Sequence, residues 1–546
     1  MRPRPVPAVL AVALTALLAA CTADPQPSPP GGAASASPSA AALDPEAVVE
    51  TVTIPSDGHD VRVDVHPLVR ADDLVVLTLD LGVPGAGEDV DVFLQGWGAT
   101  SRIVPTLGPT AIRLLDLQND VAHHAGLGAD ERPVVAPGEG VYVRSVDGVR
   151  VQLPYAAPPA GVEHLAVLVP GAPLLAGVPV VDGDVPVALT PAQQDARAAT
   201  ASPTSSAAAT PDPAPVLDLD AVVEAGTYPL EQTSRELEGA VQTVESAERL
   251  EITLGADVLF AFDSADLDPA AQGAVAVVAQ RLAERAPGTV EVVGHTDDQG
   301  DDAYNDDLSR RRAQSVADAL GVVVDTAAYP LRVDGRGERE PFVPNDSDDN
   351  RALNRRVTVT LTSTVVTSVD VTTRGELPPF EKGSVGTGGE PVRVESGGRQ
   401  FDVTASARRV DGHVVVDLEV ANADGASGLH PMAFLTGENP ARRGLDSTSP
   451  LNATGFTSVV DGATQVFVLD YAAATDATWP AGEFFPAGPL GTGAQIDAGQ
   501  QGVFSYVFPA SLPDVVALQL GTGRLASDLR ITGIEVGDEA TGAGEE

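Results

Sequence analysis

Cysteine occurs once, at Cys21, and lysine once, at Lys382. A single cysteine excludes a disulfide framework and any cysteine-rich metal cluster. Eight scattered histidines leave little material for a zinc centre. Positive charge is scarce throughout: 33 Lys and Arg stand against 77 Asp and Glu, a formal net charge of −44. So acidic a surface repels nucleic-acid phosphate and anionic lipid headgroups, which excludes DNA or RNA as a partner. Beyond residue 20 no stretch reaches roughly eighteen uninterrupted apolar residues, so nothing there is expected to span a bilayer as a helix. What is present is ample. The chain has 546 residues, 43% of them hydrophobic, enough for three or four folded domains.

The start of the chain accounts for the cysteine. Arg2 and Arg4 precede an apolar run from Val6 to Ala20, which ends Leu18-Ala19-Ala20-Cys21. This is the layout of a secretory signal. The last four residues resemble the lipobox of bacterial lipoproteins. That resemblance implies cleavage before Cys21, diacylglycerol on its sulfur, and acyl chains as the membrane anchor.

Composition then divides the chain. Residues 1–20 read as the lipoprotein signal and 21–44 as a flexible tether rich in Pro, Ser, Ala and Gly. Residues 45–189 read as a β-sandwich, from short β-branched runs such as Leu74–Leu81 and Leu165–Val169 between Gly/Pro turns. A Pro/Ser/Ala linker is expected over 190–215 and a β extension of the middle domain over 216–250. The middle domain itself covers 251–363. A linker at 364–389, a second β-sandwich at 390–538 and an acidic tail at 539–546 complete the chain. The two sandwiches read as copies. Val69–Leu81 parallels Arg408–Val420, and Ala136–Tyr142 parallels Asp497–Phe504. Both look like the Ig-like sandwiches of bacterial surface lipoproteins, a likeness that names an architecture and no activity. The fold class is therefore multidomain: a central α+β domain flanked by two related all-β Ig-like sandwiches.

In the middle domain the hydrophobic period changes. Val258–Phe262 reads as a buried-type strand, and Val275, Val278, Ala279 and Leu282 share one helical face. Val290–Val293 is a strand and Gly294–Asp307 a polar loop. Ala313, Val316, Ala317 and Leu320 mark a second helix, and Leu331–Val333 and Val357–Leu361 two more strands. The order is β-α-β-α-β-loop-β, helices on a mixed sheet. Gly294-His295-Thr296-Asp297 followed by Tyr304-Asn305-Asp306-Asp307-Leu308-Ser309-Arg310-Arg311-Arg312-Ala313 resembles the signature of the OmpA-like peptidoglycan-binding domain family. Phe260–Ala265 upstream, and Gly335–Glu338 with Arg351–Val357 downstream, match in the family's order over about 110 of the 546 residues. Asn350 stands where the family has Gly, and Asn tolerates left-handed backbone angles.

The resemblance implies non-covalent binding of a peptidoglycan stem peptide through its diamino acid, of the diaminopimelate type. Such a group needs a fixed anion for its ammonium and a fixed cation for its carboxylate. Asp297 is implied as the acceptor and Arg312 as the carboxylate clamp. Thr296, Asn305 and Leu308 are implied to line the same site, with free N–H groups of a helix N-terminus expected beside Leu308. Arg351, Asn354 and Arg355 are expected as braces. No cofactor and no metal are implied.

Other motifs lead nowhere comparable. The acidic run Asp346–Asp349 reads as a solvated loop, and Asp297–Asp307 lacks EF-hand spacing. His123-His124 with Asp120 reads as a loop pair. Gly491-Thr492-Gly493 and Gly521-Thr522-Gly523 are turns, since no P-loop lysine follows. Trp97 and Trp479 read as packing residues. No G-x-S-x-G elbow, HExxH or other catalytic constellation is found, so the chain is expected not to be an enzyme. The expected protein is extracytoplasmic, anchored to the cell membrane at Cys21 and facing the wall. Its composition suggests a GC-rich genome and favours a Gram-positive plasma membrane, with an outer-membrane lipoprotein left open. The alternative is a surface module whose sandwiches bind a protein or glycan while the OmpA-like domain moors it.

Overall fold

Asp72 and Asp411 both take left-handed backbone angles, φ 51° and 46°, and both turn a hairpin. Ala71 pairs with Leu74 in one and Val410 with His413 in the other. These residues belong to a computed structural model that describes residues 43–538 apart from 86–89, 95–108, 139–140, 145, 201–214, 237–239, 270, 365–376, 378, 397, 425–456, 474–482, 490–495 and 522. The signal, Cys21, the tether up to 42, Trp97, Trp479, Gly491–Gly493, Thr522 and the acidic tail lie outside the described residues. Among the described residues no helix is long and apolar enough to cross a membrane, which says nothing of strands.

The likeness between the flanking regions continues past the hairpins. Strand Leu74–Gly82 pairs with Val149–Ala156, and His413–Asn422 with Gln501–Phe508. Next come His164–Leu168 paired with Leu175–Asp182, and Val515–Leu520 paired with Leu529–Gly537. Each of these pairs slips register at the same place, between Leu165 and Val167 or between Val516 and Leu518. Each return strand runs parallel to the first hairpin strand, Val180 beside Leu68 and Val536 beside Ala407. One expected correspondence is corrected. The partner-equivalent of Gln501–Phe508 is Val149–Ala156, not the segment ending at Tyr142. Tyr142–Arg144 pairs instead with Asp91–Phe93 in a separate ribbon. The turns before the two segments read alike, but the run after Gly140 makes a strand of only 3 residues.

The middle region is built from β1 (Gln232–Glu236), β2 (Val241–Glu245), β3 (Arg249–Gly255), α1 (Ala256–Leu259), α2 (Ala271–Ala283), β4 (Val290–Gly294), α3 (Asp302–Val323), β5 (Leu331–Gly335), α4 (Asp348–Asn354) and β6 (Arg356–Thr362). Its sheet runs β5-β4-β6-β3-β2-β1. Ala274, Val275, Val278 and Leu282 of α2 and Ala313, Val316, Ala317 and Leu320 of α3 are buried against it, the faces that the 3.6-residue period marks. Two expectations fail here. Val258–Phe262 is not a strand: α1 takes its first half, and Phe262 is fully exposed. The strand lies just before it, in β3, where Leu250, Ile252 and Leu254 alternate inward. Asn350 sits inside helix α4 and makes no left-handed turn.

Residues 216–250 serve more than the middle region. Thr227–Pro229 pairs with Val121–His123 of the first region. Three residues later β1 pairs both with β2 and with Thr464–Phe467 of the last. The middle sheet thereby continues into the C-terminal one as a single 15-stranded sheet. Where a plain linker is expected, Pro191–Thr200 forms a helix. From Leu43 onward the chain is one compact unit.

The flanking regions also share a core, in which Leu115, Ala122 and Leu168 of the first pack with Val415, Tyr471 and Phe485 of the last. Arg113 crosses this seam with 1% of its surface exposed. It donates to the Tyr471 hydroxyl at 3.0 Å, the Pro486 carbonyl at 2.6 Å and the Gly488 carbonyl. Removing the guanidinium leaves those buried carbonyls unpaired, each a loss of about 1–3 kcal/mol. Arg113→Ala is expected to destabilise the body by about 3 kcal/mol or more, read as a lowered denaturation midpoint that Arg113→Lys restores only in part.

Candidate functional site

Two glycines set the site by what they lack. A Cβ on Gly294, at the end of β4, would stand 2.0 Å from the Ser309 carbonyl oxygen. A Cβ on Gly335, at the end of β5, would stand 2.5 Å from the Arg310 nitrogen. Backbone therefore lies directly on backbone, and α3 crosses the ends of both strands. Ser309 is fully buried there: its hydroxyl donates to the Asp306 carbonyl and accepts from the Gly337 amide, both at 3.0 Å.

The chain leaving β4 forms one wall of a cavity of about 700 Å³. Asp297, Thr296, Asn305, Leu308, Arg312, Arg351 and Arg355 all line it, as do Asp257, Phe260, Asp263 and Tyr304. Asp297 is buried, and its Oδ1 accepts from the Gln299 amide at 3.2 Å in a short side-chain turn. Asn305, also buried, donates to the Asp297 carbonyl at 3.4 Å, the Gln299 carbonyl at 3.2 Å and Glu338 at 2.7 Å, which fixes the loop. Thr296 is held by its amide on the Gly337 carbonyl at 2.9 Å, and its buried hydroxyl has no partner among the described residues. His295, behind the loop, stays neutral: burial, with Arg356 and Arg336 nearby, lowers its pKa to about 3.

Arg312 comes from the third turn of α3 and is 6% exposed. Its Nε donates to the Ser264 carbonyl at 2.9 Å, and its guanidinium carbon lies 5.3 Å from the centre of the Phe260 ring. Burial lowers its pKa from the usual guanidinium range. No carboxylate within ion-pair distance is recorded for it among the described residues, in a chain with more than twice as many acids as bases. A buried cation left open toward a cavity is a site for an anion.

Arg355 behaves differently. It donates from Nε and Nη2 to Asp257, at 2.8 and 2.6 Å, and from Nη1 to Asp297 Oδ2 at 2.6 Å. It is thus spoken for, and it holds the Asp297 carboxylate in place. Arg351 donates to the Asn345 carbonyl at 2.8 Å and to Asp348 at 2.5 Å. Asn354, fully buried, donates to the Val343 carbonyl and Asn345 Oδ1, both at 2.8 Å, and accepts from the Phe342 and Val343 amides. These contacts fasten segment 342–345 beneath the rim.

The expected helix N-terminus beside Leu308 is corrected. Helix α3 starts at Asp302, capped by Asp301, whose side chain accepts from the Tyr304 amide. The N–H groups near Leu308 are already spent within the helix. The cap, and not Leu308, meets the positive end of the helix dipole. The acidic run 346–349 is likewise a helix start. Ser347 caps α4 and accepts from the Asn350 amide, so Asp348 and Asp349 occupy the turn where negative charge is favoured. Asp263 and Tyr304 belong to the matching motifs without being implied as site residues, and Asp257 lies outside those motifs. Asp257 reaches its partner Arg355 across 98 residues, and no local pattern signals that. The pair His123-His124 has partners after all. His123 Nδ1 meets the Ala156 carbonyl at 3.0 Å and His124 Nε2 the Tyr471 hydroxyl at 2.7 Å. Among the described residues no cluster of His, Cys, Asp and Glu fits a metal ion.

Comparison with known proteins falls on this region. A model of the OmpA family matches residues 259–355. Over 119 residues the chain is 35% identical to lipoprotein YfiB of Escherichia coli (strain K12), covering 22% of this chain and 74% of that protein. The chain belongs to the OmpA family. It is 42% identical over 103 residues to outer membrane porin F of Pseudomonas fluorescens, which covers 18% of this chain and 31% of porin F. The chain thus spans about a third of that relative's length. Among solved structures, the cell wall anchor of the T6SS from Pseudomonas aeruginosa is 34% identical, covering 23% of this chain and 88% of that one, with a TM-score of 0.21. The peptidoglycan-associated lipoprotein from Burkholderia pseudomallei is 28% identical, covering 19% and 86%, with a TM-score of 0.17. The OmpA-family match contains Thr296, Asp297, Asn305, Leu308, Arg312, Arg351, Asn354 and Arg355, and it stops short of Asp257.

Proposed function

We propose that the OmpA-family region binds peptidoglycan non-covalently through the diamino acid of its stem peptide. Arg312 grips the ligand carboxylate and Asp297 accepts from its ammonium. The observation that carries this reading is the buried Arg312 guanidinium lining a cavity with no carboxylate at ion-pair distance among the described residues, and with Asp297 on the same cavity. A zwitterion satisfies both groups at once. Membership of the OmpA family supports the reading. No reaction step is part of it.

Lipidation of Cys21 would anchor the chain in a membrane, so that binding joins membrane to wall in the cell envelope. The flanking regions we read as two related β-sandwiches, supported by their equivalent hairpins, register slips and parallel return strands. The body from residue 43 on, titrated calorimetrically with a purified diaminopimelate-type muropeptide, is expected to bind. A muropeptide carrying lysine in place of diaminopimelate lacks the carboxylate for Arg312 and is expected to bind at least about tenfold more weakly. A folded body that gives no heat with either would overturn the proposal.

A further inference from the structure

At the C-terminal end of α2 three carboxylates surround two guanidiniums. Arg281 lies 3.0 Å from Glu236 on β1, 3.6 Å from Glu245 on β2 and 3.7 Å from Glu284. Arg285 donates to Glu245 at 3.3 Å, to the Ser246 carbonyl at 2.7 Å and to the Ser363 carbonyl at 3.0 Å. All five side chains are largely buried, and among the described residues the Glu284 Oε1 atom has no hydrogen-bond partner. The cluster borders a cavity of about 470 Å³ that all three regions help to enclose. Asp120 comes from the first, Leu230 from the connection between Thr227–Pro229 and β1, and His413 and Ala510 from the last. Asp120 and His413 pair across it at 3.0 Å.

The charge count is unbalanced. Three carboxylates face two guanidiniums, and among the described residues neither Glu284 nor Glu236 has a donor for its second oxygen; of the two, Glu284 borders the cavity. Water would supply one at the surface; here a proton does so most simply. The surroundings matter because β1, which carries Glu236, is the strand that pairs with Thr464–Phe467 and joins the wall-binding sheet to the C-terminal region. The cluster therefore fastens α2 to that seam.

We propose that Glu284 is a proton-binding site that regulates this seam: protonated, it closes α2 onto β1 and β2, and ionised, it loosens them. Burial, opposed by Arg281 and reinforced by Glu245, raises the Glu284 carboxyl to about 7. Glu236 is raised as well, again by burial. In the opened seam Glu284 returns to the ordinary carboxylate range. The closed seam thus holds an extra proton between about pH 5 and 7, and its stability falls as pH rises through that window. Other groups tilt the opposite way. Burial lowers both His124 and His295 to about 3, so between there and the ordinary imidazole range the folded chain binds fewer protons, and global stability falls with falling pH. The local difference between wild type and variant is therefore the readout, not the global midpoint.

Hydrogen exchange on the intact body, corrected for intrinsic rates, tests this. In wild type the open fraction of segments 278–286 and 241–247 is expected to rise at least about tenfold from pH 5.5 to 7.5. In Glu284→Gln the rise is expected to be several-fold smaller, the remainder coming from Glu236, and His413→Gln is expected to follow wild type. If Glu284→Gln does not fold, Glu245→Gln, which also leaves two carboxylates for two guanidiniums, is expected to keep the seam closed at pH 7.5. Parallel rises in wild type and Glu284→Gln, or loss of the rise in His413→Gln, would overturn the proposal. Because no wall ligand is used, its failure leaves the peptidoglycan reading untouched.

Discussion

Arg312→Ala is expected to weaken muropeptide binding by about a hundredfold, with the fold intact. The side chain makes one recorded hydrogen bond to the protein, from Nε to the Ser264 carbonyl. The rest of its fork is open to the cavity. Its removal costs the part-buried Ser264 bond and the Phe260 ring contact, whereas a bidentate bond between guanidinium and carboxylate in a buried site is worth about 3 kcal/mol, or two decades of affinity. Arg312→Lys keeps the charge and loses the fork, so it should recover only part of the loss. Asp297→Asn is the complementary test. The Asp297 carboxylate already accepts from Gln299 and from Arg355. A carboxylate offers about four lone-pair sites, which leaves room for an ammonium without displacing Arg355. Asparagine preserves the shape and removes the charge, and its effect on affinity should match that of Arg312→Ala. If either variant bound as tightly as wild type, the ligand would not sit between these two groups. Titration calorimetry at constant salt separates the outcomes.

Much of this site was legible because its parts are local. Asp297, Asn305, Leu308 and Arg312 lie within sixteen consecutive residues, on one loop and one helix, and the helix announces itself through Ala313, Val316, Ala317 and Leu320. What escaped is non-local or runs against composition. The apolar run Val258–Phe262 reads as a strand, yet Gly255 ends β3 and the chain coils into α1, leaving Phe262 in solvent. Helix α4 carries too few apolar residues to show a period, and only its cap at Ser347 betrays it. Arg355 is fixed by Asp257 and Asp297, 98 and 58 residues away.

The connections between regions leave no mark in composition. Composition shifts divide the chain into separate domains, but composition reports solubility and flexibility, not what pairs with what. The strand pairings of Thr227–Pro229 and β1, and the Arg113 contacts with residues 471–488, join segments hundreds of residues apart. The OmpA-family region is thereby part of one 15-stranded sheet. The pairing of β1 with Thr464–Phe467 that makes this join has two residue pairs in register, Ser234 with Val466 and Arg235 with Gln465.

Gly294→Ala is expected to be the most disruptive single change in the OmpA-family region. A methyl group there would meet the Ser309 carbonyl oxygen at 2.0 Å, the carbonyl carbon at 2.7 Å and the Ser309 Cα at 3.2 Å. None of these atoms belongs to a side chain that can rotate away. Relief requires α3 to lift from β4, and α3 carries Asn305, Leu308 and Arg312. Lifting it also strains the 3.0 Å bond from the Gly337 amide to Ser309 Oγ. Overpacking in a flexible core costs about 1–3 kcal/mol, and a backbone-to-backbone clash belongs above that range. Gly294→Ala is expected to lower the stability of the region by about 4 kcal/mol and to abolish muropeptide binding. In hydrogen exchange, α3 and β5 should lose protection while the strands around Leu77 and Val416 keep theirs, because those cores contain no residue of the middle region. Wild-type protection of α3 in the variant would mean that helix and strand do not meet at Gly294, and Arg312 would then lose its place in the proposed site.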